Sequence, residues 1–189
     1  MRSIITSAYM SLDGVVQRPE LWTFDYRSDD AARFAHEQLF GSDALLMGRH
    51  TYQIFAGHWP DATDEEGFAD RMNTLPKYVV SDTLDGPAPW DNTIVVPRHD
   101  APAQLRALKE QPGQDILQYG YGPVTATLLE AGLLDELRIW LHPLLVGGKD
   151  PDALLARAGA RARLALADVT RYDSDLLILR YRPAAEGPG

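Results

Sequence analysis

Short apolar runs alternate with segments of helical periodicity along most of this chain. The runs "DALLM" (43–47), "KYVVS" (77–81) and "DILQ" (115–118) have the length and aliphatic character of buried strands. Between such runs, "SDDAARFAHEQLF" (28–40) and "PVTATLLEAG" (123–132) place apolar residues every three or four positions. This alternation predicts an α/β fold with a mostly parallel central sheet and crossover helices on both of its faces.

The remaining segments extend the same pattern and close it with a hairpin. Two strands joined by a tight polar turn at Asp173 and Ser174 predict an antiparallel C-terminal hairpin, which makes the sheet mixed. We expect one domain over 1–183 and a flexible tail at 184–189. The further predicted strands are 2–10, 92–96, 135–146, 162–172 and 174–182. The further predicted helices are a short one that begins at 49 and two that span 101–110 and 152–158.

Composition narrows the classes of partner. The formal net charge of −9 gives no general basic surface, so nucleic acid is not an expected partner. The chain has no cysteine, which excludes disulfides and thiolate metal sites, and its five histidines show no metal-binding spacing, so we expect no metal. No apolar run approaches the roughly 20 residues that span a bilayer. These features predict a cytoplasmic protein.

A glycine, a cation and a hydroxyl follow the strand at 43–47. In "LLMGRHTYQIF" (45–55), Gly48, Arg49 and Thr51 stand where a strand passes into a helix. The start of a helix presents unpaired N–H groups and a positive dipole, and arginine can bind phosphate through two hydrogen bonds. The turn therefore suits a phosphate, although an ordinary turn with a solvated arginine explains the same residues.

A second glycine turn occurs in "QYGYGPV" (118–124), again between a strand and a helix. Gly120 and Gly122 flank Tyr121, and Pro123 suits the first position of the helix. Backbone N–H groups in such a turn can hold a pyrophosphate, but the full dinucleotide-binding fingerprint is absent, and many turns of this type bind nothing. Ser81, at the end of the strand 77–81, becomes a candidate ligand contact if that strand lies beside the one that ends at Gly48.

Four segments occur in order along most of the chain: "SLDGVV" (11–16), "MGRHTY" (47–52), "VVSDTL" (79–84) and "YGYGPVTATLLEAGLLDELRIWLHPLLVGG" (119–148). Together they resemble the dihydrofolate reductase superfamily, and most of all its branch containing the reductase domain of riboflavin-biosynthesis deaminase-reductases and their stand-alone relatives. The resemblance implies a three-layer fold, a bound NADPH, a homodimer, and hydride transfer to a C=N or C=O carbon of a small-molecule substrate that is heterocyclic or a carbonyl compound.

The resemblance also implies roles for individual residues. The Gly-Arg-x-Thr turn would hold the 2′-phosphate of NADPH, the strand-end serine would flank the adenosine, the second glycine turn would lie under the pyrophosphate, and the first segment would border the nicotinamide. The residues assigned in this way are Gly48, Arg49, His50 and Thr51; Ser81; Gly120, Tyr121, Gly122 and Val124; and Asp13 and Gly14.

Two positions depart from the family pattern, and the proton donor is not evident. Asp82 stands where relatives are often basic, which opposes a phosphate, and Tyr121 stands where they often carry a small residue. Folate reductases carry an acid shortly after a tryptophan on the first helix, but the spacing here does not match. The candidates are Trp22, Asp25, Asp29 and Asp30, and each acid can equally be a solvated charge or a helix-start residue.

Three functions remain open from the sequence. The first is a reductase resembling 5-amino-6-(5-phosphoribosylamino)uracil reductase of riboflavin biosynthesis, the second is a dihydrofolate or other small-molecule reductase, and the third is a descendant that binds nucleotide without turnover. A substrate phosphate would require a basic pocket, for which Arg18, Arg27 and Lys149 are available. We expect the segments 17–30 and 57–76 to cover the cleft. We also expect the strand 135–146 and the hairpin to form an edge that pairs with a second copy.

Overall fold

The computed structural model describes residues 1–85, 88–147, 154–155 and 159–184. Eight strands within these ranges form one sheet, in the order β4-β3-β2-β5-β1-β6-β8-β7. The first six strands in this order are parallel to one another, while β8 runs antiparallel to both β6 and β7. The strands are β1 (Ile4–Ser11), β2 (Ser42–Gly48), β3 (Lys77–Val80), β4 (Thr93–Val96), β5 (Asp115–Tyr119), β6 (Glu136–His142), β7 (Leu164–Arg171) and β8 (Leu177–Pro183).

Helices cover both faces of this sheet. Adjacent strand residues point to opposite faces, so Ile4 packs in the cluster that contains α4 and α5, while Ile5 packs in the cluster that contains α1, α2 and α3. Burying each such aliphatic side chain stabilises the fold by about 1.5–3 kcal/mol. The predicted three-layer arrangement is therefore confirmed. The helices are α1 (Asp29–Phe40), α2 (Arg49–Ala56), α3 (Phe68–Thr74), α4 (Ala101–Glu110) and α5 (Pro123–Glu130).

Local chemistry explains where several of these elements begin and end. Ser28 caps α1 as predicted, because its Oγ accepts a hydrogen bond from the N–H of Ala31 at 3.2 Å. The predicted strand 135–146 ends already at His142, because Pro143 has no N–H with which to continue the ladder. None of the helices in the described ranges is long and apolar enough to cross a membrane.

The hairpin is present, but its turn is longer than the two residues predicted. The N–H of Tyr172 donates to the carbonyl of Leu176 at 2.9 Å, so β8 begins at Leu177 rather than at 174. Asp175 adopts a positive φ of 60° inside this turn. The predicted helix 152–158 falls outside the described residues except for Leu154 and Leu155, as does the predicted tail apart from residue 184.

The prediction that segment 57–76 covers the cleft is wrong. Its helix α3 lies at the amino-terminal edge of the sheet, where Arg71 Nη2 donates to the carbonyl of Ser42 at 2.5 Å. Lys77, the first residue of β3, is fully buried. Its Nζ donates to the carbonyls of Asn73, Leu75 and Asp91 at 2.7, 2.8 and 3.0 Å. This segment closes the bottom of the core because Ala69 and Met72 of α3 are buried.

The prediction that the strand 135–146 and the hairpin form an edge of the sheet is right for the hairpin and wrong for the strand. Strand β6 lies between β1 and β8, so it offers no free backbone to a second copy. The outermost strand at this side of the sheet is β7, and almost all of its residues are exposed. Leu166 and Val169 on β7 remain 55% and 47% accessible, which leaves apolar surface beside the outer edge of β7, an edge that pairs with no described strand.

Candidate active site

The carboxyl ends of the central parallel strands meet at one edge of the sheet. Gly48 of β2 pairs with Val80 of β3, so Ser81 lies beside the glycine turn. This is the strand arrangement that makes Ser81 a candidate ligand contact. On the other side of the sheet, Ser11 of β1 pairs with His142 of β6. Ligands of open α/β sheets bind outside these carboxyl ends, and the strand order brings the predicted segments together there.

The turn after β2 gives α2 an uncapped amino terminus. Gly48 is the N-cap residue, it provides no side-chain acceptor, and no acidic residue occupies the first turn. Its φ of −85° is open to any residue, so the glycine is not required by backbone strain. Free N–H groups and the helix dipole make this terminus suited to an anion.

The turn after β5 requires its first glycine. Gly120 has a φ of +81°, a conformation that residues with a Cβ rarely adopt. Its N–H donates to the carbonyl of Ser7 at 3.0 Å, which fixes the turn on the adjacent strand. A Cβ at Gly120 would lie 3.0 Å from Thr51 Oγ1, and one at Gly48 would lie 3.4 Å from Val124 Cγ2. The two glycine turns are therefore in contact and form one cradle.

A buried hydrogen-bond network that the sequence analysis missed supports this cradle. Thr6 Oγ1 donates to Gln118 Oε1 at 2.6 Å, and Gln118 Nε2 donates to Thr125 Oγ1 at 2.9 Å and to the carbonyl of Gly120 at 3.2 Å. All three side chains are buried, so their polar groups depend on one another. A glutamine inside the apolar run "DILQY" was the available signal.

The candidate 2′-phosphate end contains a second cation. Arg49 Nη1 donates to Thr83 Oγ1 at 2.6 Å, and the N–H of Thr83 donates to Ser81 Oγ at 3.1 Å. Asp82 accepts a hydrogen bond from the N–H of Arg98 at 2.8 Å, with the Arg98 guanidinium 3.7 Å from its carboxylate. Arg98 therefore offsets the acid that the sequence analysis counted against phosphate binding. Exposed His50 follows Arg49 in the first turn of α2.

Asp13 and Gly14 border a cavity of about 400 Å³ at the same edge. Asp13 accepts hydrogen bonds from Ser11 Oγ at 2.6 Å and from the N–H groups of Val146 and Gly147 at 3.1 and 2.8 Å. These bonds, led by that of Ser11, hold the pKa of Asp13 below its usual range. The described lining of the cavity is Asp13, Gly14, Tyr121, Leu154, Leu155, Gly159 and Ala160.

The four candidate proton donors do not belong to that described lining. Trp22 donates from Nε1 to the carbonyl of Gln17 at 3.0 Å. Asp25 and Asp29 are exposed, and Asp30 forms an ion pair with Arg33. The structure thus places the acids around the start of α1, outside the described lining of the cavity.

An aromatic cluster surrounds His142 on the α1 side of the edge. The His142 ring lies 5.2, 5.3 and 5.7 Å from the rings of Tyr9, Trp22 and Tyr26, in edge-on arrangements. Burial lowers the pKa of His142, and its Nδ1 donates to the carbonyl of Trp140 at 2.9 Å. The neutral ring is thereby fixed beside the segment 17–30, which lies at the carboxyl edge as expected.

A family model and a bacterial relative each match most of the chain. A family model for the RibD C-terminal domain matches residues 2–178. The uncharacterised Bacillus subtilis (strain 168) protein YyaP is 25% identical over 183 residues, covering 95% of this chain and 94% of that protein.

Solved structures share the fold at lower identity. A putative riboflavin biosynthesis protein from Shewanella sp. PV-4 superposes with a TM-score of 0.69 at 19% identity, covering 96% of this chain and 99% of that one. A Thermotoga maritima diaminohydroxyphosphoribosylaminopyrimidine deaminase/5-amino-6-(5-phosphoribosylamino)uracil reductase superposes with a TM-score of 0.64 at 17% identity, covering 97% of this chain and 57% of that one. The chain has the dihydrofolate reductase-like fold and belongs to the RibD C-terminal domain family.

Proposed function

We propose that this protein is an NADPH-dependent reductase that transfers a hydride to a C=N or C=O carbon of a small heterocycle. The observation that carries the proposal is the contact between the two glycine turns, which joins an uncapped helix terminus to a backbone cradle at the carboxyl edge. Membership of a family whose structural relatives include reductases supports it.

The donors of the cradle fit the cofactor. The amino terminus of α2, with Arg49, Thr83 and Arg98, would hold the adenosine 2′-phosphate, and the turn from Gly120 to Gly122 would hold the pyrophosphate. Arg49 and Thr83 are available for this role, since their hydrogen bond is exposed and can exchange for a phosphate oxygen. Arg98 also lies 3.7 Å from the Asp82 carboxylate, so it would serve both anions.

The other residues of the edge would position the reacting partners. NADPH supplies the hydride from C4 of its dihydronicotinamide. Asp13 ties the turn at Gly14 to the segment that follows β6, which fixes one wall of the cavity. A site with fixed walls holds the reactants in one geometry, which lowers the barrier to transfer.

The rim of the edge favours a substrate without a phosphate. The exposed side chains of Leu12, Leu21, Phe24 and Leu145 are 57%, 63%, 56% and 72% accessible. Arg18 lies 3.6 Å from a Glu20 carboxylate oxygen, and Arg27 packs over the Phe24 ring at 4.4 Å; Lys149 lies outside the described residues. A dihydrofolate-like or other unphosphorylated heterocycle is therefore the second candidate, beside the phosphorylated uracil of the riboflavin pathway.

Binding and turnover together test the proposal. Purified protein is titrated with NADPH and NADH while tryptophan fluorescence is followed, and NADPH oxidation is then measured with 5-amino-6-(5-phosphoribosylamino)uracil, its dephosphorylated form and dihydrofolate. We expect micromolar NADPH binding and oxidation with at least one substrate. Binding without turnover of any substrate would favour a non-catalytic nucleotide-binding descendant, and no binding would refute the cofactor site.

We also propose that the protein is a cytoplasmic homodimer. The exposed apolar residues Leu166 and Val169 accompany the unpaired edge of β7, and such an edge is suited to pairing with a second copy. Light scattering should give twice the chain mass of 21.0 kDa, and Leu166→Glu should halve it. A monomeric wild-type protein at micromolar concentration would refute this assembly.

A further inference from the structure

The peptide between Gly120 and Tyr121 is held from the buried side of the site. Gln118 Nε2 donates a hydrogen bond to the carbonyl of Gly120 at 3.2 Å, and Gln118 is only 2% accessible. None of the described peptide bonds is cis, and in a planar trans peptide the carbonyl and the N–H point in opposite directions. The N–H of Tyr121 therefore faces away from Gln118, toward the outside of the turn.

This N–H is available to a ligand. It has no hydrogen-bond acceptor among the described residues, whereas the N–H of Gly120 donates to the carbonyl of Ser7. The side chain of Tyr121 lines the cavity that Asp13 and Gly14 border, so the residue lies at the boundary of the site. Tyr121 consequently offers one unused backbone donor between the two glycines of the cradle.

The neighbours of Gln118 determine which end of its amide faces the turn. A backbone carbonyl can only accept, so the NH₂ group of Gln118, and not its oxygen, must lie against Gly120. The Thr6 hydroxyl donates to the amide oxygen at 2.6 Å, and Thr125 Oγ1 accepts from the NH₂ group at 2.9 Å, as that orientation requires. All three side chains are buried, so bulk water does not compete for these bonds.

Without the bond from Gln118, the peptide would have a second accessible orientation. Gly120 has a φ of +81° and no Cβ, so rotation of the adjoining peptide meets little steric resistance. The rotated peptide would turn its carbonyl, instead of the Tyr121 N–H, toward an approaching anion. A carbonyl oxygen and a phosphate oxygen are both acceptors and repel each other. The hydrogen bond from Gln118 therefore selects the orientation that can bind an anion.

We propose that Gln118 is a positioning residue that holds the Tyr121 N–H as a hydrogen-bond donor to the pyrophosphate of the cofactor. Gln118 does not touch the ligand, because it acts through the carbonyl of Gly120. This inference rests on the proposed function and deepens it, since it identifies a backbone donor and gives a role to the buried amide in β5. A donor that is fixed before binding needs no reorganisation when the anion arrives.

The test compares two buried amides in the full chain. Gln118→Met removes the donor to Gly120 and keeps the length of the side chain. The matched control is Asn73→Leu, because the amide of Asn73 also donates to a backbone carbonyl, that of Trp59 at 2.8 Å, but lies on α3 at the opposite edge of the sheet. The ligands are NADPH and 2′-AMP, which carries the 2′-phosphate without the pyrophosphate.

We expect the Kd of NADPH to rise about tenfold in Gln118→Met, the equivalent of one lost hydrogen bond, and to stay within about twofold of the wild-type value in Asn73→Leu. The Kd of 2′-AMP should be unchanged in both variants. The melting temperature should fall by about 2–10 °C in both, because each variant leaves buried polar groups without their partner. The comparison thereby separates the effect on binding from the effect on stability.

A spectroscopic readout reports on the donor itself. The chain contains eight tyrosines, so ¹⁵N labelling of tyrosine alone gives few backbone signals, and the one missing from Tyr121→Phe is that of Tyr121. In the wild type this amide proton signal should move downfield when NADPH binds and should not move with 2′-AMP. In Gln118→Met the movement should be smaller. The wild-type measurement requires no variant that fails to fold.

Three results would overturn the inference. They are an unmoved Tyr121 amide signal in wild type saturated with NADPH, equal losses of NADPH affinity in Gln118→Met and Asn73→Leu, and full NADPH affinity in Gln118→Met. In each of these cases the wild type still binds NADPH, so the proposed function stands. If the wild type binds neither NADPH nor 2′-AMP, the proposed function fails and the inference fails with it.

Discussion

Replacing Arg49 with alanine tests whether the turn after β2 distinguishes NADPH from NADH. A charge-assisted hydrogen bond to phosphate contributes about 1.5–3 kcal/mol. Arg49 is exposed and exchanges a bond to Thr83 Oγ1 for one to the phosphate, so the lower end of that range applies. A loss of about 1.4 kcal/mol corresponds to a tenfold rise in Kd.

The assay is a fluorescence titration of Arg49→Ala with both cofactors. We expect the Kd of NADPH to rise about tenfold and that of NADH to change less than about twofold, since NADH carries no 2′-phosphate for the guanidinium. Added salt should weaken NADPH binding more in the wild type than in the variant, because exposed charges are screened. The matched control is Arg33→Ala, an exposed arginine on α1 that pairs with Asp30 instead.

Equal losses for NADPH and NADH would refute the reasoning, because Arg49 would then act on a part shared by both cofactors. An unchanged Kd for NADPH would move the 2′-phosphate to Arg98 and Thr83. The double variant with Arg98→Ala distinguishes these cases: adjacent cations that share one phosphate should give non-additive losses.

Three further perturbations follow from the structure. Gly120→Ala should lower the melting temperature by about 2–8 °C, because a side chain in the left-handed conformation costs about 1–2 kcal/mol. It should also weaken NADPH binding, because the new Cβ would press on Thr51 Oγ1. The control Gly57→Ala, at a φ of −84°, should have neither effect. Lys77→Met should destabilise the protein by about 2–4 kcal/mol in urea denaturation, because three backbone carbonyls lose their donor; a loss below the error of the fit would contradict this.

Burial opposes ionisation of Glu136, but hydrogen bonds from two neighbouring arginines outweigh burial and hold the pKa of Glu136 below the usual 4.5. The ionised carboxylate therefore stabilises the fold above pH 4.5, and this stabilisation is lost as the pH falls through the lowered pKa. The difference in free energy of unfolding between wild type and Glu136→Gln should therefore shrink below pH 4.5, and a difference independent of pH would refute that assignment.

The sequence predicted the elements that local chemistry determines. The Ser28 cap, the helix starting at Arg49 and the helix at 101–110 follow from residues next to one another, and the structure confirms them. The sheet order was not accessible in the same way, because β6 looks like any apolar strand until β8 is known to pair with it. The assignment of 57–76 to the cleft failed for a related reason, since polar composition does not show which edge of the sheet a segment reaches.

The candidate site also contains residues that local sequence predicts and residues that only the complete fold brings together. The turn after β5 is visible in the sequence because the backbone requirement of Gly120 is local, whereas Arg98 and Thr83 reach the site from loops whose placement depends on the whole fold.

The central position of β1, between β5 and β6, affects how the chain folds during its synthesis. Its neighbours, β5 and β6, follow it in sequence by more than a hundred residues; the hydrogen bond between Thr6 and Gln118, for example, spans 112 positions. Strand β1 therefore stays unpaired in the sheet until β5 and β6 have been synthesised. Non-local parallel pairing of this kind is slow, and it exposes an apolar segment meanwhile. Nascent chains truncated before Glu136 should consequently be protease-sensitive and depend on chaperones for solubility.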